Sequence, residues 1–242
     1  MVRSYDVAME LAEVVGHLTV LRRFPVEPLS GESPDTALLR EGGLFGDRVF
    51  ELCDCATGAP LIADSVAAPV LLSYGARYME DLVAEELDRW TRVRNPDGKE
   101  FLITDAEWLS DISRRLGREV ALRPRKEVSP LRLVSRPTLR LAERTYGAAL
   151  EPARLRANLF IEITDGKAFD EDKWIGQSLR IGEALLEITG GSTGCLLMFG
   201  AEATGDVDLL RGLESIHGHL GLELRAASSA RLRVGDPVVL VD

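Results

Sequence analysis

Apolar and polar residues alternate in short stretches along much of the chain. Alternation with a period of two predicts half-buried strands. It is clearest in four stretches, at residues 17–29, 154–164, 178–190 and 222–242. Glycine-rich turns separate the stretches, helical spacing is rare and no regular alternation of strand and helix is present. The pattern therefore predicts a mainly β protein of the α+β class, with β-barrel-like domains rather than a doubly wound sheet.

Two segments carry the apolar spacing of an amphipathic helix. In residues 104–119 the apolar positions recur at helical intervals, and Gly117 marks the end of the helix. In residues 135–147 Ser135 is a candidate N-cap. The apolar run at 67–81 is predicted to begin as a buried strand instead, because a short continuous apolar run bounded by turns is typical of one.

The totals are those of an ordinary globular chain with room for one large or two small domains. It has 242 residues, 45% of them hydrophobic and 28% charged. A formal charge of −10 weighs against nucleic-acid and anionic-membrane partners, and three cysteines are too few for a disulfide framework. No window approaches a membrane helix and the N-terminus lacks the apolar core of a signal peptide. We therefore expect a cytoplasmic protein without nucleic-acid or membrane partners.

Two prolines indicate where the chain divides. Pro124 and Pro130 flank a linker-like stretch that follows the first predicted helix. Proline and polar residues are common where few contacts cross between domains. We therefore expect two domains, residues 1–122 and residues 123–242, the first of them the smaller β-barrel-like domain.

One cysteine, Cys195, lies between a Gly/Ser/Thr cluster and an apolar run in the sequence GGSTGCLLMFG. Free cysteine is among the most buried residue types and usually packs inertly. The run by itself predicts a buried strand. A thiolate in the same place would be a nucleophile or a ligand for a soft metal. The local pattern leaves both interpretations open.

Several motifs, in chain order, resemble those of MOSC-domain proteins, a family named for the C-terminal domain of molybdenum-cofactor sulfurase. They are RRFPVEPLSGE, GLFGDRVF, RLRANLFIE with FDEDKWIGQSLRIGEALLEI, a downstream cysteine, and ARLRVGDPVVLVD. The similarity runs from about Gly16 to the last residue. It implies a MOSC-type β-barrel preceded by the smaller N-terminal β-barrel-like domain of that family.

The resemblance also implies a molybdenum cofactor, a pterin held by basic and polar side chains. The cysteine of the family falls on Cys195, which would be the molybdenum ligand or a persulfide site. The cofactor-binding positions fall on Arg48, Ser135, Thr138, Arg156 and Asn158. Guanidinium groups bind phosphate bidentately, and an amide donates and accepts at the edge of a heterocycle. The implied activity is that of an oxidoreductase or sulfur carrier, with a redox or sulfur-donor protein as a candidate partner.

One motif departs from the family at a position that carries charge. The family usually reads Pro-Val-Lys-Ser, whereas this chain reads Pro25-Val26-Glu27-Pro28, so a carboxylate replaces a lysine expected at the cofactor phosphate. An alternative function is therefore a metal-free enzyme for a small anionic metabolite, with Glu27 as a catalytic acid or base whose pKa is raised by apolar walls. A third is a non-catalytic small-molecule binding module.

Several of these residues also have a purely structural interpretation. Arg48 could pair with Asp47 or Glu51 on the surface, a contact worth little, and Asn158 could satisfy the backbone of a turn. The acidic run 170–172 is interpreted as a turn that caps and orients the adjacent loop. Trp174, which follows it, is expected to pack against the barrel.

Overall fold

The computed structural model of the chain describes residues 13–62, 67–79, 87–126, 129–146, 155–192 and 218–241. Within these ranges the chain forms sixteen strands, four α-helices and a short 3-10 helix. The prediction of a mainly β protein with a few helices is confirmed.

The elements are named in chain order. The strands are β1 (Val14–Leu21), β2 (Val26–Glu27), β3 (Thr36–Arg40), β4 (Gly43–Leu44), β5 (Phe50–Asp54), β6 (Gly75–Tyr78), β7 (Thr91–Arg94), β8 (Glu100–Leu102), β9 (Val120–Pro124), β10 (Leu131–Ser135), β11 (Leu159–Ile163), β12 (Ser178–Ile181), β13 (Ala184–Gly191), β14 (Leu222–Ala226), β15 (Ala230–Arg233) and β16 (Pro237–Val241). The helices are α1 (Ala68–Ser73), α2 (Leu87–Trp90), α3 (Ala106–Leu116), α4 (Arg136–Tyr146) and the 3-10 helix Asp170–Trp174.

Seven strands close into a barrel in the order β1-β11-β10-β14-β13-β12-β16. Neighbouring strands are antiparallel except β10 and β11, which run parallel. Alternate side chains are buried, as in β12, where Leu179 and Ile181 are inaccessible and the alternating Ser178 and Arg180 are half-buried. The inward-facing residues, mostly leucine and isoleucine, form the largest apolar core, whose burial is the main source of stability.

The other strands form three sheets of three strands, in the orders β15-β3-β4, β2-β5-β9 and β6-β7-β8. A second apolar core is built from the last two sheets with helices α1 and α3. Trp108 of α3 is fully buried in it, and its indole N–H donates to the Ile103 carbonyl at 2.9 Å. In the described part of the chain the seven-stranded sheet is the one that closes into a barrel. The second core is formed by open sheets packed against helices.

The strand pairings cross the expected division between residues 122 and 123. The barrel takes β1 from the N-terminal side, where it pairs with β11 and β16. In the opposite sense, β15 from the C-terminal side pairs with β3. The division into two folding units stays a prediction, and the barrel contains strands from both sides of it.

The helices agree with the sequence except at one place. The predicted helices at 104–119 and 135–147 are confirmed as α3 and α4. The apolar run predicted as a buried strand is wrong in its first half, which forms helix α1, because Pro69 lies in the first turn, where a missing N–H costs nothing. The second half does form a strand, β6. No helix in the described ranges is long and apolar enough to cross a membrane.

Gly221 stands where the chain enters β14 and approaches the backbone of β10. Its φ is +77°, and a Cβ placed there would lie 2.2 Å from the Leu133 carbonyl oxygen. We expect Gly221→Ala to lower the free energy of unfolding by about 2–3 kcal/mol, because it adds a clash to a left-handed backbone. Gly58→Ala is the matched control, since Gly58 has a φ of +69° and open space around it. Urea denaturation that gave the two variants equal losses would contradict the clash.

Candidate functional site

Arg48 and Arg156, both singled out as cofactor-binding positions, lie together between the barrel and the N-terminal sheets. Arg48 follows β4 and Arg156 precedes β11, and both have left-handed backbones, with φ of 49° and 50°. This conformation is uncommon for residues other than glycine and marks positions held by their surroundings. The Nη2 of Arg48 donates to the backbone carbonyl of Arg156 at 2.7 Å, so the two turns are tied directly.

Arg156 is one of the largest fully buried side chains, with 1% of its surface exposed. Its Nη1 donates to the Leu29 carbonyl at 2.6 Å and its Nη2 to Glu27 Oε2 at 2.6 Å. The guanidinium carbon lies 3.8 Å from the centre of the Phe24 ring, a cation–π distance. Burial lowers the pKa of Arg156 to about 10, which leaves it protonated at neutral pH.

Glu27 places one carboxylate oxygen between the two guanidinium groups. Its Oε2 accepts from Arg156 and lies 3.2 Å from Arg48 Nε. Burial alone would raise the pKa of Glu27, but the charges of Arg156 and Arg48 and the hydrogen bond from Arg156 outweigh it and lower the pKa to about 2. The expectation of a raised pKa is wrong. A carboxylate that stays ionised at neutral pH is a poor general acid or base there.

Asp47 supplies a second carboxylate, which the sequence suggested only as a surface partner of Arg48. Its Oδ1 accepts from the backbone N–H of Phe24 at 2.7 Å, and its Oδ2 accepts from Arg48 and, at 3.1 Å, from Asn158. The side chains of Asp47 and Arg48 are 7% and 2% exposed, so the pair is buried. The adjacent Gly-Asp-Arg triplet is the sequence signal that pointed here.

Asn158 joins this group to the barrel. Its side-chain N–H groups donate to Asp47 and to the Arg22 carbonyl, and its Oδ1 accepts from Arg48 at 3.3 Å and from the Arg132 N–H at 3.3 Å. The amide therefore satisfies backbone groups as well as side chains. We call the five residues that meet here the arginine cluster: Glu27, Asp47, Arg48, Arg156 and Asn158. Its two cations and two carboxylates cancel in charge.

Ser135 and Thr138, the other two predicted cofactor-binding residues, belong to a separate buried group. Asn158 lies beside Arg132 near the start of β10, whereas Ser135 is its last residue. Ser135 Oγ accepts from the Thr138 N–H at 3.2 Å, which is an N-cap of α4, and donates to Glu171 Oε2 at 2.9 Å. The structure therefore does not bring these two residues to the arginine cluster.

Glu171 completes this second group. It is fully buried, also accepts from the Ser135 N–H at 3.3 Å, and has a pKa raised by burial. Glu171 therefore binds the end of β10 and not the adjacent loop; within the acidic run it is Asp170 that caps the adjacent turn, where its Oδ2 accepts from the Lys167 N–H at 2.7 Å. Trp174 packs in the barrel core with 7% of its surface exposed, as expected.

Cys195 lies outside the described residues, within 193–217. The described residues on either side of this segment pair with each other: Leu220 N–H donates to the Ser192 carbonyl at 3.0 Å, and Ser192 N–H donates to the Gly221 carbonyl at 2.8 Å. Its role as metal ligand, catalytic thiol or persulfide site stays a prediction. In the part of the chain that the structure describes, no group of three His, Cys, Asp or Glu residues is placed to hold a metal ion.

A cleft opens beside the arginine cluster, between residues 40–49 on one side and Arg125, Lys126 and Ser129 on the other. Its volume is about 270 Å³, and it adjoins a larger cleft of about 640 Å³ across Glu41, Gly42, Gly43 and Ser129. Its charged lining residues are Arg40, Arg48, Arg125, Lys126, Glu41 and Asp47. Four cations and two carboxylates give a local excess of positive charge in a protein whose formal charge is −10.

Comparison with known proteins assigns the fold to a family. The family model of the MOSC domain matches residues 91–239, more than half of the chain, so the protein belongs to the MOSC domain family. That family is associated with molybdenum-cofactor binding. A search of curated proteins finds no match.

One solved structure is similar to this chain in fold. The YuaD protein of Bacillus subtilis is similar with a TM-score of 0.50 at 12% identity, covering 93% of this chain and 94% of its own. A hypothetical protein has a TM-score of 0.45 at 13% identity, covering 98% and 71%, and YiiM of Geobacillus stearothermophilus has 0.38 at 19%, covering 46% and 54%. At such identity the likeness to YuaD concerns the fold alone.

The charges at the arginine cluster bear on whether it fits the phosphate of such a cofactor. A phosphate needs guanidinium N–H groups that no other anion occupies. Here the Glu27 carboxylate pairs with Arg156 Nη2 and Arg48 Nε, and the Asp47 carboxylate pairs with Arg48 Nη1. The arginine cluster is neutral, and carboxylates occupy these three donors, so the residues do not fit the phosphate site expected from the sequence.

Proposed function

We propose that the protein binds a small anionic molecule in the cleft beside the arginine cluster. The observation that carries this proposal is the set of cleft-lining cations that form no salt bridge with a described residue, although the charge of Arg125 also acts on Glu27 from beyond salt-bridge distance. No salt bridge within the described ranges engages Arg40, Arg125 or Lys126. Cations in a concave site attract and orient anions, and the forked guanidinium group suits carboxylates and phosphates.

The volume of the cleft suits a small molecule. Together with the larger cleft that it adjoins, it has room for a metabolite of ordinary size. Gly42 and Gly43 line both clefts, with φ of 95° and 126°, so the backbone can approach a ligand without side chains intervening. Lys126 is exposed and Arg125 is half-buried, which places one cation at the rim and one deeper.

In this proposal the chain's own groups bind and orient the ligand. Arg40 is held over the Phe45 ring, with its guanidinium carbon 3.9 Å from the ring centre, so its planar fork is oriented before binding. Arg125 is fixed through its backbone N–H, which donates to the Val49 carbonyl at 2.8 Å. This arrangement supports the binding-module function more directly than a catalytic one.

A molybdenum-cofactor enzyme or sulfur carrier, with Cys195 as metal ligand or persulfide site, is the second candidate. Family membership favours it. When bound, the cofactor would supply redox or sulfur-transfer chemistry at the metal, and a redox or sulfur-donor protein would then be a partner. The neutral arginine cluster weighs against a grip on the cofactor phosphate at Arg48 and Arg156, so a cofactor would have to bind through the cleft cations instead.

Native mass spectrometry of freshly purified full-length protein, with molybdenum and persulfide sulfur measured on the same sample, separates the two candidates. Retained anionic small molecule without molybdenum or extra sulfur supports the binding module. Molybdenum near one per chain that is lost in Cys195→Ala supports the cofactor protein and overturns the binding module as the main function.

The cleft itself is tested by titration with inorganic pyrophosphate. We expect Arg125→Ala to weaken pyrophosphate binding about tenfold or more, since one direct charge contact in a partly buried site is worth about 1–3 kcal/mol. Arg233→Ala is the matched control. It removes the same charge, but Arg233 is exposed and lies outside the cleft. Equal weakening in both variants would mean that only overall charge matters, and the cleft would be wrong as the site.

A further inference from the structure

We propose that Glu27 is a built-in anion: its carboxylate occupies an anion-binding position formed by Arg48 and Arg156, and this position becomes a phosphate site when the charge of Glu27 is removed. The disagreement between the expected phosphate grip and the neutral cluster thereby has a specific cause. The Glu27 side chain occupies the position, and the two arginines that would bind the phosphate are in place.

The contacts of Glu27 are those of a bound oxyanion. A single oxygen, Oε2, lies 2.6 Å from Arg156 Nη2 and 3.2 Å from Arg48 Nε, between two converging guanidinium groups. The Glu27 side chain is 23% exposed, so the position can be reached from solvent, whereas both arginine side chains are almost completely buried. A phosphate entering from that side would meet the same two donors.

Arg156 carries an additional donor for which the described protein supplies no acceptor. Its Nε is buried and has no hydrogen-bond partner in the described chain. Buried donors are nearly always satisfied, because leaving an N–H without an acceptor destabilises the folded state. Among the donors of Arg156, the Glu27 carboxylate reaches Nη2 but not Nε, whereas a phosphate has three further oxygens with which to reach Arg156 Nε.

The arginines are held by contacts that do not involve Glu27. Arg156 donates to the Leu29 carbonyl and stacks on Phe24, and Arg48 donates to the Arg156 carbonyl and to Asn158. When Glu27 is neutralised, the side chains of Arg48 and Arg156 therefore keep fixed positions. The arginine cluster then has a net charge of +1, since Asp47 is its one remaining carboxylate. Fixed donors with uncompensated charge are what an anion site requires.

This inference does not depend on the proposed function. The proposed ligand site in the cleft rests on Arg40, Arg125 and Lys126, whereas the closed position rests on Arg156 together with Arg48, which also lines the cleft. A ligand in the cleft would perturb Arg125, and a ligand in the opened position would perturb Arg156, so failure of one proposal is distinguishable from failure of the other.

The experiment follows arginine Nε–H signals by NMR while inorganic phosphate is added to full-length wild type, Glu27→Gln and Glu51→Gln. Glu51 is the matched control because it pairs directly with Glu27 across β2 and β5, and its carboxylate binds the partly exposed Arg123 at 2.6 Å. We expect saturable shifts of the Arg156 signal in Glu27→Gln, with an affinity at least about tenfold above that of wild type and Glu51→Gln.

Two results overturn the inference: a folded Glu27→Gln protein whose Arg156 signal ignores phosphate, or a wild type that responds as strongly as the variant. If Glu27→Gln does not fold in phosphate-free buffer, the inference predicts that phosphate restores folding, since it replaces the missing counter-ion. Failure of phosphate to restore either Glu27→Gln or Glu27→Ser, as followed by circular dichroism, also overturns it.

Discussion

Replacing Arg156 with methionine is expected to lower the free energy of unfolding by about 3–5 kcal/mol. The change removes the main partner of Glu27, leaves the Leu29 carbonyl without its donor at 2.6 Å and ends the stacking on Phe24. Methionine keeps an unbranched chain, so most of the loss comes from polar groups left buried without partners. Removing one member of a buried ion pair costs about 3–5 kcal/mol for that reason.

Arg140→Met is the control for this prediction. Arg140 forms two hydrogen bonds with Glu162, at 2.7 and 3.0 Å, but both side chains are about half exposed. Exposed pairs of this kind contribute about 1 kcal/mol or less. Urea denaturation followed by circular dichroism measures both variants, and losses that agreed within about 1 kcal/mol would contradict a structural role for the arginine cluster.

Stability is expected to fall as the pH is lowered from about 5 to about 2, and Glu27 accounts for about 3 kcal/mol of the loss. Its folded-state pKa of about 2 lies below the ordinary value of 4.5. The ionised carboxylate therefore stabilises the folded state at pH values above the unfolded-state pKa. That contribution disappears as the pH falls through the folded-state value.

Other carboxylates titrate in the same range, so the variant Glu27→Gln isolates the effect. The pKa of Asp111 is also lowered to about 2, whereas burial raises the pKa of Glu171, which has the opposite effect on stability. We expect the gap in unfolding free energy between wild type and Glu27→Gln to be largest near pH 7 and to close toward pH 2. A gap that stayed constant over this range would show that Glu27 is not held ionised by the arginines.

The agreement between sequence and structure is best where local signals are strong. The helical spacing of α3, its end at Gly117 and the N-cap Ser135 of α4 were all predicted from a few neighbouring residues. Helix α1 was predicted as a strand, because a short apolar run has no periodicity that distinguishes a strand from a helix. The proline in its first turn is the local signal that favours the helix.

The candidate site was predicted in part. The sequence motifs directed attention to Arg48, Arg156 and Asn158, and these residues do meet. The sequence also identified Glu27 as unusual, but its pKa was expected to rise. The sign of that shift depends on two arginines that lie 21 and 129 residues away along the chain, and their distances to the carboxylate exist only after folding. Asp47 was expected on the surface for the same reason.

By itself, the sequence determined a mainly β protein, two of its helices and the membership of the MOSC family that the family model later supported. Tertiary structure decided the rest: which strands close the barrel, including β1 from the start of the described chain, and how charges pair where the barrel meets the N-terminal sheets. Periodicity and capping act over a few residues and can be read along the chain. Ion pairing and burial depend on residues that are distant in sequence, so only the folded protein determines whether Glu27 acts as an acid or as the counter-ion of two arginines.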